Sequence, residues 1–129
     1  MMEQADSVNL ESQIMPDTIH VSITGLQIRH LWHLPMFWRH AISAMMQAQS
    51  ADGCLSAEAR TIHGIHHTRS VWRDRDAMQS YLRQGAHLSA MSVFGRIATG
   101  KTLGYETSEI PNWDEVHLLW KTEGRNVSG

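Results

Sequence analysis

Nine histidines and five tryptophans in a chain of 129 residues are where this sequence could do chemistry. His87 is the leading candidate. It stands at the start of a helical stretch, just after a break at Gly85. A helix N-terminus disfavours the imidazolium form, so the ring there stays neutral and ready to accept a proton. The competing reading is that His87 caps its turn or packs beside Tyr81. Trp38 and Phe37 in one amphipathic stretch, Trp72 at the end of a strand, and Phe94 and Met91 in a later helical stretch are expected to shape an apolar cavity between helices and sheet. A small-molecule site is usually such a hollow, mostly apolar with a few placed polar groups. Arg29 or Arg69 would then offset negative charge on a molecule held there. Met36, Met45, Met46 and Met78 add soft filling that serves a core or a pocket equally.

The other histidines carry less. His63, His66 and His67 form an HxxHH cluster, but adjacent strand residues point to opposite faces, so His66 and His67 cannot share one ion. With one cysteine the usual zinc ligand sets are also missing, and the cluster reads as turn and surface histidines. His30, His33 and His40 surround the first strand–helix junction. Cys54 has no sequence neighbour that would lower its pKa, so it is read as unreactive. The chain has no GxGxxG, no GxxxxGKS or GxxxxGKT and no GxSxG, which removes support for dinucleotide folds, P-loops and hydrolase elbows.

The elements that must position these residues follow from periodicity. Thr18 to His30 alternates, with Ile19, Val21 and Ile23 on one face. After Gly25 the apolar parity shifts to Leu26 and Ile28, which suggests a β-bulge or else a strand apolar on both faces. Pro35 is placed for a first helical turn, and Phe37, Trp38, Ala41, Ile42, Met45 and Ala48 recur at helical spacing. Asp52-Gly53 stops that helix. Leu55, Ala57 and Ala59 alternate with Ser56, Glu58 and Arg60, His63-Gly64 supplies a turn, and Ile65 to Arg73 is the return strand. On it His66, Thr68, Ser70 and Trp72 share one side, and Ile65, His67, Arg69 and Val71 the other. Asp74 caps a helix through Ala77, Met78, Tyr81 and Leu82. A second helical piece runs from His87 to Ile97, ended by Thr99-Gly100. Lys101 to Ile110 is the last long strand, broken by Pro111. Asn112 with Glu115 begins a final helix carrying Trp113, Val116 and Trp120.

The order predicts an α+β, ferredoxin-like βαββαβ domain over residues 18–121, with a four-stranded antiparallel sheet and an extra C-terminal helix. Residues 1–17 are expected to be a flexible arm and 122–129 a tail. With both sides of the sheet carrying large residues and helices expected on only one, two copies are expected to pair as a homodimer. Eleven Lys and Arg against thirteen Asp and Glu, a net charge of −2, give no footprint for nucleic acid. No apolar run reaches the roughly 18 residues of a membrane span. The first 17 residues carry Glu3, Asp6, Glu11 and Asp17 but no Lys or Arg, so no secretory signal is read there. The expected location is cytoplasmic, in keeping with a lone cysteine.

The stretch Ser70-Val71-Trp72-Arg73-Asp74-Arg75-Asp76-Ala77-Met78, followed by Gly85-Ala86-His87-Leu88-Ser89-Ala90-Met91, resembles the strand–helix–break–His segment of antibiotic biosynthesis monooxygenase-like domains. The similarity in element order spans residues 18–110 and is sharpest over 70–91. Phe37-Trp38-Arg39-His40 and the helix from Trp113 to Trp120 fall outside it and are more like an uncharacterised branch, with a fainter similarity to spheroidene monooxygenase-type proteins. The resemblance implies a dimeric α+β barrel and cofactor-independent oxidation of a small apolar or aromatic molecule. Haem-degrading relatives hold iron through a histidine, which would fall at Met91 here, so no cofactor is expected and a haem-binding protein is one alternative. The other is a non-catalytic ligand-binding or stress-related dimer.

Overall fold

The computed structural model describes residues 18–126, so the expected arm and residues 127–129 of the expected tail lie outside the described residues. Strand β1 (Ile19–Ile28) leads through a 3-10 turn at Leu31–His33 into helix α1 (Leu34–Gln49). The hairpin β2 (Cys54–Ile62) and β3 (Ile65–Trp72) follows, then α2 (Arg75–Leu82), α3 (Gly85–Ile97), β4 (Ala98–Thr107), α4 (Trp113–Glu123) and a two-residue β5 (Arg125–Asn126). The sheet order is β2-β3-β1-β4-β5 with every pairing antiparallel. This is the ferredoxin-like α+β arrangement, extended by one short strand where a tail was expected. α4 also runs on to Glu123.

Local chemistry fixes the joints. His63 and Gly64 turn the hairpin with φ of 50° and 80°, the left-handed region that Gly enters freely and His more readily than most. Asp74 Oδ1 accepts from the Ala77 N–H at 2.8 Å and so caps α2. Asn112 and Glu115 form a reciprocal capping box at the start of α4, with both bonds at 2.9 Å.

Three expectations are corrected. There is no bulge at Gly25: the register of β1 against β3 and β4 runs through it unbroken. Glycine is needed because the Trp120 indole of α4 lies against it, and the parity shift marks a strand apolar on opposite faces in its two halves. α3 starts at Gly85 rather than His87, since the Gln84 carbonyl already accepts from the Leu88 N–H at 3.1 Å. β4 starts at Ala98, and Gly100 lies inside it because a Cβ there would come 2.7 Å from the Gly25 carbonyl oxygen.

A fourth correction concerns the second sheet face. That face is not bare. α4 lies on it, and Val21, Ile23, Val71 and Val116 form a fully buried cluster between them. Arg69, from the same face, donates to the Pro111 carbonyl at 2.8 Å and lies 4.5 Å from the Trp113 ring centre. His67 and His117 meet at 2.9 Å. The Thr24 carbonyl accepts from His67 Nδ1–H at 3.3 Å, so His67 Nε2 is the acceptor for His117 Nδ1–H. The open face on which sheet pairing was argued is therefore occupied by the chain's own helix.

On the first face the apolar core is split. One cluster (Ala48, Ala57, Trp72, Ala77, Met78, Tyr81) closes one end and another (Leu26, Phe37, Val93, Ile97, Ala98) the other. Between them strands β1, β3 and β4 offer the helices mainly small polar side chains.

Candidate functional site

The middle of that face carries Ser22 and Thr24 from β1, Thr68 and Ser70 from β3, and Thr102 and Gly104 from β4, all beneath α1 and α3. Short hydroxyl side chains cannot fill the gap to the helices, and the hollow there is part of a cavity of about 940 Å³ whose lining continues to Leu103, Tyr105 and Leu119 on the α4 side of the sheet. Its roof is apolar, built from Trp38, Ala41 and Met45 of α1 and Ala90, Met91 and Phe94 of α3. Part of the floor is internally ordered. Thr102 Oγ1 donates to the Ile23 carbonyl at 3.0 Å, and Thr24 Oγ1 lies 3.3 Å from Thr102 Oγ1. Ser70 Oγ accepts from Trp72 Nε1 at 2.8 Å.

His87 lines this cavity. It is the third residue of α3, its ring meets Tyr81 edge-on at 5.1 Å between centroids, and its Nδ1 is buried without a partner. Burial lowers its pKa, with the Leu82 backbone acting the other way, so the ring is held neutral. Tyr81 donates to the Ala44 carbonyl at 2.8 Å, and burial pushes its pKa up to about 12, so it remains a phenol. Trp38 and Met91, each 37% exposed, and Phe94 also line the cavity.

The remaining candidates stand elsewhere. Trp72 is fully buried and stacks on Tyr81 at 5.2 Å, walling off one end of the core without touching the cavity. Arg69 faces α4, on the far side of the sheet, where it also pairs with Glu58 at 2.9 Å. Arg29 lies just past β1 with its side chain in solvent, and only its backbone N–H is engaged, by the Ile97 carbonyl at 2.8 Å. Neither arginine can offset charge on a molecule in the cavity. The Cys54 thiol is pushed up by burial, partly opposed by its contact with the Ser56 carbonyl, in line with an unreactive thiol.

His66 was missed. It faces α1 and lines the cavity, while the His67 ring packs against His117 and Trp120 of α4, as strand alternation requires. Its ring lies 4.9 Å from Phe37 and 5.3 Å from Trp38, and Nδ1 is 2.8 Å from Thr61 Oγ1. Burial lowers its pKa. The hydroxyl floor was missed as well. Its signal was present: four polar residues at alternating positions in two central strands, which reads as solvent exposure until a helical layer is placed above them.

No protein-family model matches the chain, and no curated protein matches it. Solved structures do. SnoaB, a cofactor-independent oxygenase from Streptomyces nogalater, superposes with a TM-score of 0.61 at 12% identity, covering 73% of this chain and 98% of its own. A Deinococcus radiodurans protein named after the antibiotic biosynthesis monooxygenases gives 0.62 at 20% identity, covering 71% and 96%. A Bacteroides thetaiotaomicron protein of unknown function gives 0.64 at 7% identity, covering 71% and 100%. The fold is that of the antibiotic biosynthesis monooxygenase-type structures, and at these identities the likeness speaks for fold alone. Among the described residues no helix is long and apolar enough to cross a membrane.

Proposed function

We propose that this chain takes a small apolar or aromatic molecule into the cavity between sheet and helices and oxygenates it without a cofactor. The observation that carries the reading is the cavity itself, about 940 Å³ with an apolar roof over a hydroxyl floor. Such a lining holds a flat hydrocarbon body by its faces and its polar substituents from below. Trp38 and Phe94 would supply aromatic walls. His87 would place its neutral ring in the lining beside Tyr81. The named activity of SnoaB lends the oxygenase part of the reading its support.

A homodimer remains part of the proposal. It would have to form outside the area α4 covers, for example along the exposed edge strand β2. Sedimentation at twice the 14.6 kDa chain mass would support it, and a monomer at micromolar concentration would end it.

Oxygen uptake with anthrone- or quinol-type compounds tests the activity. The expected result is uptake that Phe94→Ala and His87→Ala both reduce. Saturable binding with no uptake would make the protein a ligand carrier on the same fold. A Soret band on adding haemin, lost in His87→Ala, would make it a haem protein instead.

A further inference from the structure

The helical layer turns apolar side chains outward as well as inward. Leu31 and Trp32 on the 3-10 turn are 80% and 73% exposed, the most of any large apolar side chain among the described residues. Behind them, Ile42 and Met46 of α1 and Leu88 of α3 are each more than half exposed. On α1, Arg39, Ile42 and Met46 recur at three- and four-residue spacing, on the side away from the buried Phe37 and Ala48. A helix lying on a sheet ordinarily keeps charged and polar residues there. α1 and α3 pack together on one face of the sheet, so their outward side chains form one surface, with the Leu31-Trp32 turn at its end. His30 stacks flat on the Trp32 indole at 4.3 Å between centroids, which fixes that ring outside the core.

The same surface is cationic, although the chain as a whole carries a net charge of −2. No Asp or Glu occurs from Thr18 to Ala51 or from Ala77 to Tyr105. Within those stretches Arg29, Arg39, Arg83 and Arg96 are all exposed, and among the described residues none of them pairs with a carboxylate. The acids at the start of α2, Asp74 and Asp76, are flanked by Arg73 and Arg75, and Asp74 lies 3.4 Å from Arg73 Nε. A second copy is a poor occupant for such a surface, because a two-fold contact sets arginine against arginine with no carboxylate between them. Apolar side chains interleaved with free arginines fit a partner that is anionic and apolar at once.

We propose that this surface seats the protein on an anionic lipid bilayer, with Leu31 and Trp32 inserted among the headgroups and the arginines set against lipid phosphates. An indole is apolar along its body and polar at its N–H, and it settles at the boundary between acyl chains and headgroups. Lipid accepts side chains that stand out singly, as Leu31 and Trp32 do from a three-residue turn, without a shaped socket. The contact is peripheral, since among the described residues no helix is long and apolar enough to cross a membrane. Trp38, Ile42 and Met46 are exposed on this layer and also line the cavity, so the seated face includes part of the cavity's rim. The seat is independent of what the cavity holds, and its test needs no ligand.

The experiment is flotation of the whole chain with vesicles of phosphatidylcholine and phosphatidylserine at about 2:1, against vesicles of phosphatidylcholine alone. The expected result is binding to the anionic vesicles with a blue shift of tryptophan emission, and binding about tenfold or more weaker on the neutral ones. Raising NaCl from about 0.05 M to about 0.5 M should weaken it further, as screening requires. Leu31→Ser combined with Trp32→Ser should reduce binding about tenfold or more. Arg29→Gln combined with Arg39→Gln should reduce it about twentyfold, from roughly a factor of five for each basic residue at an anionic surface. All four side chains are exposed, so both double variants should keep the wild-type urea midpoint. No flotation of the wild type with anionic vesicles, equal flotation with neutral ones, or full binding by either double variant would overturn the proposal. Self-association without flotation, abolished by Leu31→Ser with Trp32→Ser, would overturn it in favour of an interface between copies.

Discussion

The Trp120 indole of α4 occupies the space above Gly25 of β1. A Cβ on residue 25 would come 2.5 Å from Trp120 Cε2 and 2.8 Å from Cδ1, while the indole N–H donates to the Lys101 carbonyl at 3.0 Å. The hydrogen bond and the missing side chain together hold the helix at one height over the sheet. Gly25→Ala should therefore destabilise the fold by about 1–3 kcal/mol, the usual cost of overpacking. Urea unfolding followed by tryptophan emission reads it, and an unchanged midpoint would mean that α4 can rise without loss.

Arg69 belongs to the same clamp rather than to the cavity. Arg69→Ala removes a charge-assisted bond to the Pro111 carbonyl and the cover over Trp113. A loss of about 2–3 kcal/mol is expected. Little of it should come from the Glu58 pair, whose carboxylate is more than half exposed. Binding of an apolar dye in the cavity should stay within about twofold of wild type, less than half a kcal/mol. A selective loss of binding without loss of stability would return Arg69 to the ligand site.

Stability should fall on the acid side of neutrality. His66, His67, His87 and His117 all have pKa values lowered from 6.5, in each case first by burial. The unfolded chain then takes up protons before the folded one does. Stability is full above 6.5 and is lost as pH falls through 6.5 towards the folded values. Protonating His67 Nε2 also removes the acceptor for His117, in a region where His63 and Lys121 already oppose added positive charge on His117. Urea midpoints measured from about pH 8 to about pH 5 should decline, and His117→Leu should flatten the decline. A flat profile in the wild type would contradict the burial of these rings.

Filling the cavity should separate stability from binding. Ser22→Leu extends an apolar side chain from the floor into the space below the α1 and α3 roof. The fold should gain about 0.5–2 kcal/mol, as cavity-filling changes commonly do, and dye binding should disappear. A destabilised Ser22→Leu protein would mean that the hollow is filled by side chains in solution.

Much of the architecture was legible because local signals agreed with one another. Asp74 and Asn112 announced helix starts, His63-Gly64 announced the hairpin, and the two faces of β3 were assigned correctly from alternation alone. The misreadings share a cause: each depended on what lay across from a residue. Gly25 looked like a bulge because Trp120, 95 positions away, cannot be seen from the local pattern. Gly100 looked like a helix stop because its close approach to Gly25 is a cross-strand matter. Arg69 and Trp72 were credible site residues by type, yet the sheet face taken by α4 claimed the first and the packing of Tyr81 claimed the second. The pairing of His20 with Glu106 offered no motif at all, since the two stand on strands distant in sequence.

The hydroxyl floor has a consequence for how this scaffold can diversify. The apolar clusters that hold the molecule together sit at the two ends of the first layer and under α4, away from Ser22, Thr24, Thr68 and Thr102. Replacements among those four positions can alter which shapes and polar groups the hollow admits while the anchoring clusters stay untouched. Descendants of this chain could drift in chemical taste without first surrendering their architecture.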